Sequence, residues 1–192
     1  SEREISLESG RNILANLDAT RFTGLPIYMD AAGRLWEIGL PHLVQNTTRD
    51  LEARLEHGAA PLAYEDLPTK VDFVYIGLHG KYGEDGCFQG LLELLDLPYS
   101  GSGVLGAALG MDKRVQRRLL AQAGIDVPRT QAVAQEAWER DREGQLAAAS
   151  AAVGFPAVVK PSREGCSTAL AVVRDAPALA AAIDEALAWD RH

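Results

Sequence analysis

The spacing of hydrophobic side chains changes along the chain, and this alternation predicts a mixed α/β fold. Residues 4–18 carry apolar side chains at helical spacing, whereas residues 26–44 contain short extended segments around the turn at Ala32-Gly33. Residues 72–78 are rich in β-branched and aromatic side chains, which predicts a buried strand. A helix with an apolar face is predicted over residues 87–96. Strands that alternate with helices indicate the α/β class.

The second half of the chain repeats this alternation in smaller elements. Residues 112–124 predict a helix, with Asp112 as its N-cap and Gly124 as its stop signal. Two alanine-rich helices and two short strands complete the pattern, at residues 135–153, 176–190, 157–160 and 169–173. The turns place a domain boundary near Gly110-Met111. We therefore expect domains at residues 1–110 and 111–192.

Composition narrows the class of protein further. The 192 residues are 47% hydrophobic and 24% charged, as in ordinary globular proteins, and the net charge of −8 disfavours a nucleic-acid partner. The cysteines, Cys87 and Cys166, are too few for a disulfide-stapled secreted domain, which favours the cytoplasm. The longest nearly apolar run is too short to span a bilayer. The polar N-terminus predicts no signal peptide, and we expect an opening strand to be missing.

A glycine-rich segment, LHGKYGEDG at residues 78–86, directly follows the predicted buried strand. In open α/β sheets, ligands bind beyond the carboxyl ends of the strands. Glycines allow a backbone to approach a ligand closely, and His79 could contact a small substrate. The alternative is a tight strand-to-helix turn with a surface histidine. The pattern alone leaves both interpretations open.

A second glycine-rich segment, residues 100–110, leads into Met111, Asp112 and Lys113. A glycine-rich loop before a helix resembles a phosphate cradle, although its spacing matches neither a Walker A loop nor a dinucleotide fingerprint. Lys113 lies in a first helical turn, where a cation opposes the helix dipole. On pattern alone, this segment is a simple connection and Lys113 faces solvent.

Lys160 ends an apolar strand and is followed by the polar loop SREGCS at residues 162–167. A lysine at such a position needs a partner if it is buried, and the loop offers hydroxyl and backbone N–H groups as a phosphate-covering loop does. The alternative is a solvated lysine followed by a hairpin turn. At the other end of the chain, Glu2 and Glu4 fit helix capping on pattern alone.

Three segments, in this order, resemble the D-alanine–D-alanine ligase family: SEREISLESG, LHGKYGEDGCFQGLLELLDLPYSGSGVLGAALGMDK and FPAVVKPSREGCS. The resemblance implies the ATP-grasp superfamily, with a Rossmann-like open parallel-sheet domain for substrate at residues 1–110. A truncated, small α+β ATP-binding subdomain would follow at residues 111–192. The implied reaction joins two D-alanines through an acyl phosphate for peptidoglycan synthesis. ATP, magnesium or manganese, and a cytoplasmic homodimer are implied as well.

The resemblance also implies roles for individual residues. Glu2 matches the glutamate that holds the amino group of the first D-alanine, and His79 the histidine near that substrate's carboxylate. Lys113 and Lys160 match two lysines that contact ATP phosphates. The phosphate-covering loop would contribute further ATP-binding residues, namely Ser162, Gly165 and Ser167.

Two departures from the family pattern occur in this loop. Cys166 stands where the family usually has a serine that forms a hydrogen-bonded group with the N-terminal glutamate and a tyrosine. It is therefore a candidate catalytic position with a weaker donor. Ala169 stands where the family has a glycine, and we expect a stiffer loop.

The family's opening strand and everything after residue 192, including the magnesium ligands and the second D-alanine site, are absent from this sequence. We therefore expect an inactive fragment of a longer ligase, with no metal ligands of its own. Two alternatives remain open. One is a related carboxylate–amine ligase, such as a D-alanine–D-lactate ligase, and the other is a non-catalytic nucleotide-binding module.

Overall fold

The computed structural model describes residues 2–165 and 167–190. The chain divides into two compact units, Ser1–Val104 and Leu105–His192, called here the N-terminal and C-terminal units. This division falls a little before the predicted domain boundary at residue 110, which stays a prediction. Helices and strands occur in both units, so the predicted mixed α/β class is confirmed. The three-stranded sheet of the N-terminal unit is antiparallel, however, and not the open parallel sheet that the resemblance implied.

The N-terminal unit packs helices around a small antiparallel sheet. Its elements are α1 (Arg3–Ala15), β1 (Ile27–Met29), β2 (Leu35–Glu37), α2 (Leu40–Leu43), α3 (Thr48–Glu52), β3 (Ala60–Leu62), α4 (Leu67–Lys70) and α5 (Cys87–Leu94). The strand order is β1-β2-β3, with Met29 opposite Leu35 in the β1–β2 hairpin. The predicted turn is confirmed, because Gly33 has a positive φ of 79° and donates its N–H to the Asp30 carbonyl. The Asp30 carboxylate accepts from the Ala32 and Arg34 amides and holds the turn closed.

The prediction of a buried strand at residues 72–78 is wrong. This segment forms an isolated parallel bridge between Val74 and Tyr99, while Phe73 and Tyr75 are 52% and 62% exposed. The bridge is held by the Val74 amide on the Pro98 carbonyl and the Ser100 amide on the Val74 carbonyl. The ladder ends there because the chain turns at Gly101, whose φ is 97°. Apolar composition predicted an extended segment, but a strand also needs a neighbour that continues alongside it.

Two clusters of buried side chains form the core of the N-terminal unit. The first joins α1, the sheet and α3 through Leu7, Tyr28, Ile38, Leu43, Leu51 and Leu55. The second lies around α4 and α5 and contains Leu35, Leu67, Leu92 and Leu97. The first cluster fixes α1 in position, and α1 carries part of the site described below.

The C-terminal unit combines helices with a two-stranded antiparallel sheet. Its elements are α6 (which begins at Val104, the last residue of the N-terminal unit, and ends at Met111), α7 (Lys113–Gln122), α8 (Gln135–Arg140), α9 (Arg142–Val153), β4 (Ala157–Val159), β5 (Ala171–Val173) and α10 (Ala176–Trp189). None of the helices in the described part of the chain is both long and apolar enough to cross a membrane.

Two sequence predictions in this unit need correction. The glycine-rich segment 100–110 is not a loop throughout, because the residues between its glycines are good helix formers and α6 begins at Val104. The single helix predicted over residues 135–153 is broken at Asp141. The Asp141 carboxylate accepts from the Gly144 amide and caps a new helix, α9.

The β4–β5 hairpin positions the second part of the site. Ala157 lies opposite Val173 and Val159 opposite Ala171, so Lys160 and the loop after it connect the two strands at the closed end of the hairpin. The hairpin packs on a core of Trp138, Ala149, Val173, Leu179, Ala182 and Ile183. The strands on both sides of the loop are therefore anchored on this core.

Two leucines of α5 provide a test of the N-terminal core. Leu92 is fully buried at 0% exposure, whereas Leu94, two residues away on the same helix, is 87% exposed. We expect Leu92→Ala to lower the free energy of unfolding by about 2–5 kcal/mol, because it leaves a cavity. Leu94→Ala is the matched control and should change it by less than about 0.5 kcal/mol. Urea unfolding followed by circular dichroism measures both, and equal effects would contradict this packing.

Candidate functional site

A buried carboxylate lies at the start of α1. The backbone carbonyl of Glu2 accepts from the Ser6 amide, at 2.9 Å, and from the Ser6 hydroxyl, at 3.0 Å. The side chain does not cap the helix, it is only 5% exposed, and neither of its carboxylate oxygens has a hydrogen-bond partner among the described residues. Burying an unpaired carboxylate is costly. This position therefore fits a ligand that brings a positive charge.

Glu4, in contrast, is used within the fold. Its carboxylate accepts from the backbone amide and the hydroxyl of Thr48 and so joins α1 to the first turn of α3. Of the two N-terminal glutamates, Glu2 is thus the one whose side chain is left for another role.

His79 lies beside Glu2 and is held from several sides. Its backbone amide donates to the Ser6 hydroxyl at 2.9 Å, and its Nε2 is 2.7 Å from the Ser9 hydroxyl. Its Nδ1 lies 3.8 Å from a carboxylate oxygen of Glu84. Polar atoms of Glu2, His79 and Glu84 all lie within 4.8 Å of one another. The structure thus brings together the two predicted residues and adds Glu84.

Sequence analysis missed Glu84, although it belongs to the same glycine-rich segment. One of its carboxylate oxygens accepts from the Gly80 amide at 2.6 Å. Its position inside a motif already marked as functional was the available signal. The acidic character of Glu84 alone did not separate it from ordinary surface glutamates.

The three glycines of this segment allow the chain to pack against itself. A Cβ on Gly80 would lie 2.5 Å from the Glu2 carboxylate, and one on Gly83 would lie 2.6 Å from the Leu78 carbonyl oxygen. A Cβ on Gly86 would lie 2.7 Å from the Val104 carbonyl oxygen. Gly80 is thus the glycine of this motif that touches a candidate functional side chain.

A cavity of about 470 Å³ lies beside these residues. Its wall includes Glu2, Ser6 and His79 and continues over mostly apolar side chains, among them Ile13, Leu14, Met29 and Ile76. Small-molecule sites typically have volumes of roughly 300–1,000 Å³ and a few polar groups in an apolar wall. The cavity therefore suits a small molecule that has an apolar part and a charged end that meets Glu2.

In the C-terminal unit, Lys113 joins the start of α7 to the loop after β4. Asp112 caps the helix by accepting from the Arg114 and Val115 amides, as the sequence predicted. The Lys113 ammonium donates to the carbonyl of Glu164 at 2.6 Å and to that of Ser162 at 3.3 Å. The interpretation of Lys113 as a solvent-facing lysine is therefore wrong.

Lys113 and Lys160 lie close enough to affect each other electrostatically. The pKa of Lys113 is lowered, first by burial and then by repulsion from the Lys160 ammonium. Lys160 itself is exposed at the end of β4. Two neighbouring cations beside a loop fit an anionic ligand that carries several charges.

The loop after Lys160 is anchored by an ion pair that sequence analysis did not find. Arg163 donates its backbone amide to the Asp190 carboxylate at 2.8 Å, and its guanidinium lies 2.9 Å from the second oxygen of that carboxylate. Asp190 is 7% exposed and follows the end of α10. No local pattern links residues separated by 27 positions.

The far side of this loop has unusual backbone conformations. Ser167 and Ala169 have positive φ values of 61° and 47°. The Thr168 amide donates to the carbonyl of Gly165, and the Leu170 amide to that of Ser167. Cys166 lies outside the described residues. Ser162, Gly165 and Ser167 thus share one tight loop with the two lysines beside it.

The conformation of Ala169 yields a test of this loop. A left-handed backbone costs an L-residue about 1–2 kcal/mol, and glycine avoids that cost. We expect Ala169→Gly to raise the free energy of unfolding of the C-terminal unit by about 0.5–1 kcal/mol, since part of the gain is offset by unfolded-state entropy.

Thr168→Gly is the matched control, because Thr168 does not have a positive φ. This variant should be neutral or destabilising in the same urea titration. If Ala169→Gly destabilised the protein as much as Thr168→Gly does, the left-handed conformation of Ala169 would be refuted.

Comparison with known proteins places these features in a family. The family profile described as "D-ala D-ala ligase N-terminus" matches residues 1–102, and the one described as "D-ala D-ala ligase C-terminus" matches residues 119–192. Together the two profiles cover most of the chain.

Curated relatives match over nearly the whole chain. A D-alanine–D-alanine ligase A of Bradyrhizobium diazoefficiens is 37% identical over 203 residues, covering 98% of this chain and 54% of the relative. A D-alanine–D-alanine ligase of Kineococcus radiotolerans is 38% identical, covering 99% of this chain and 55% of the relative. The chain therefore spans about half the length of the curated relatives it matches.

Solved structures agree with these matches. The VanG D-Ala:D-Ser ligase of Enterococcus faecalis superposes with a TM-score of 0.81 at 27% identity, covering 100% of this chain and 57% of the other. The D-alanine–D-alanine ligase of Coxiella burnetii superposes with a TM-score of 0.76 at 29% identity, covering 100% and 56%.

Proposed function

Because the chain belongs to the D-alanine–D-alanine ligase family, we propose that the whole protein joins two D-alanines in an ATP-dependent reaction. The reaction proceeds through an acyl phosphate and supplies peptidoglycan synthesis. The observation that carries the proposal is the buried Glu2 carboxylate, which lies beside His79 and has no hydrogen-bond partner among the described residues. A site with an anion and a hydrogen-bond donor next to each other matches the two charged groups of an amino acid.

In this proposal Glu2 and His79 bind the first D-alanine. The Glu2 carboxylate accepts hydrogen bonds from the substrate's ammonium group, and charge-assisted bonds of this kind are short and strong. His79 donates to the substrate's carboxylate. Ser6 and Ser9 of α1 keep the histidine in place through its amide and its Nε2. The cavity beside Glu2 supplies the volume for the small side chain.

Lys113 and Lys160 are proposed to contact the phosphates of ATP, with Ser162, Gly165 and Ser167 supplying hydroxyl and N–H groups from the loop. Burial, and then repulsion from Lys160, lower the pKa of Lys113, which supports this role, because a polyphosphate would neutralise both cations. The ammonium of Lys113 would exchange a loop carbonyl for a phosphate oxygen. Bound ATP supplies the phosphoryl group that activates the carboxylate of D-alanine.

Magnesium or manganese is part of the proposed reaction, but no ligand for it is assigned among the described residues. Among the described residues, the cluster of Glu2, His79 and Glu84 contains a nitrogen ligand, whereas magnesium prefers oxygen ligands only. No step is therefore assigned to the metal. Cys166 stays a predicted catalytic position, and its placement lies outside the described residues.

The family resemblance supports a cytoplasmic homodimer, and the net charge of −8 argues against a nucleic-acid partner. The second substrate also needs a test, because the similar VanG enzyme is named a D-Ala:D-Ser ligase. Offering D-alanine, D-serine and D-lactate to the full-length protein would show which acceptor it uses.

The two lysines provide the test of ATP use. We expect the full-length gene product to release phosphate when given D-alanine, ATP and magnesium. Lys160→Ala should weaken ATP binding by at least about tenfold, or 1.4 kcal/mol, because it removes an exposed cation from the phosphate site. Lys113→Ala should do the same.

Arg118→Ala is the matched control, since Arg118 is an exposed cation on the same helix as Lys113. ATP affinity that is equal in all three variants and the parent would contradict the proposal. If the parent also released no phosphate, the two results together would favour a non-catalytic module.

Gly80 provides a separate test of the amino-acid site. Gly80→Ala would push a methyl group against the Glu2 carboxylate, which we expect to lower kcat/KM for D-alanine by about tenfold to a hundredfold. Gly101→Ala is the matched control, because Gly101 also has a positive φ but a Cβ there would meet nothing within 4 Å. Both variants impose the strain of a positive φ on alanine, so Gly101→Ala reports the effect of that strain alone. Equal kinetic losses would mean that Gly80 acts only through backbone strain.

A further inference from the structure

The cluster of Glu2, His79 and Glu84 offers more polar atoms than the charged groups of one amino acid would contact. Each residue offers one nitrogen or oxygen atom, and these atoms all lie within 4.8 Å of one another. We propose that the cluster binds one divalent transition-metal ion, best matched by zinc. The ion would compete with the ammonium group of the amino acid for Glu2. The competition rests on the proposed function, whereas the metal site does not.

The spacing of the ligand atoms suits a tetrahedral ion. Zinc binds histidine nitrogen and carboxylate oxygen at about 2.0–2.2 Å, which places neighbouring ligand atoms roughly 3.4 Å apart. Nδ1 of His79 and Oε1 of Glu84 are already 3.8 Å apart. Only small side-chain movements are needed to close the three atoms around an ion.

The surrounding contacts prepare two of the ligands. Ser9 holds Nε2 of His79 at 2.7 Å, and the Gly80 amide holds Oε2 of Glu84 at 2.6 Å. These bonds leave Nδ1 of the histidine and Oε1 of the glutamate for an ion. Metal sites commonly use such outer contacts to orient their ligands.

The burial of the Glu2 carboxylate is an independent observation that points to a cation. Its carboxylate is 5% exposed, and both oxygens lack hydrogen-bond partners in the described part of the chain. A single ammonium would neutralise one of the two carboxylates in this cluster, whereas a divalent ion would neutralise both. With one histidine nitrogen and two carboxylate oxygens, the donor set favours zinc over magnesium or calcium.

The site is tested by calorimetric titration of zinc chloride into the 192-residue chain carrying Cys87→Ser and Cys166→Ser, so that thiols do not bind the ion. One zinc ion per chain is expected. His79→Ala and Glu84→Gln should each weaken zinc binding by at least about tenfold. Glu84→Gln keeps an acceptor for the Gly80 amide, so this variant should retain the fold, as circular dichroism will show.

His57→Ala is the matched control, because His57 is an exposed histidine of the same unit, remote in sequence from the cluster. Cobalt absorption spectra, recorded with the same variants, report the ligand set independently of heat. Absence of zinc binding, or equal weakening by His57→Ala and His79→Ala, would overturn the metal site.

The competition is tested by repeating the titration at increasing D-alanine concentration, after D-alanine binding has been measured alone. The apparent zinc affinity should fall as D-alanine increases. Zinc affinity that is unaffected by bound D-alanine would overturn the competition. Zinc binding by a chain to which D-alanine does not bind would support the metal site and count against the proposed function.

Discussion

The close approach between α1 and the segment that begins at Gly77 is the constraint on which the candidate site around Glu2 and His79 depends. A Cβ on Gly77 would lie 3.2 Å from the Ile13 side chain and 3.5 Å from the Gly10 amide nitrogen. The next glycine, Gly80, lies directly against the Glu2 carboxylate. Because side chains are absent at these positions, one face of α1 presents Glu2 and the two serines to the histidine. A bulkier residue would separate the carboxylate from the imidazole.

Features with local physical causes were predictable from the sequence. The Asp112 cap and the turn at Gly33 each depend on residues within a few positions, and the structure contains both. The strand at residues 72–78 was not predictable, because a strand is defined by the chain that pairs with it. The same limit explains why the Arg163–Asp190 pair was missed, since the two residues are distant in sequence. Glu84 was missed because its role depends on its position beside Glu2 and on the side of the loop that it faces.

Lys113 shows how a long-range contact can reverse a local expectation. A cation in the first turn of a helix opposes the helix dipole, which is why pattern alone placed this lysine in solvent. In the structure, the carbonyls of Ser162 and Glu164 accept from its ammonium and offset that penalty. Those carbonyls belong to a loop about fifty residues later, so no reading of α7 by itself could anticipate them.

Each unit contains a group of like-charged side chains whose charge the described residues of that unit do not fully balance. In the N-terminal unit, two glutamates lie beside a histidine, and the buried one lacks a partner among the described residues. In the C-terminal unit, burial and the neighbouring Lys160 lower the pKa of Lys113, although Glu164 and Asp190 oppose this shift. Folding energy alone does not favour such arrangements, because unpaired like charges destabilise a compact state. The net charge of −8 does not reveal these local groups of like charge. An ammonium or metal ion would balance the charge at the first site, and a polyphosphate would balance it at the second.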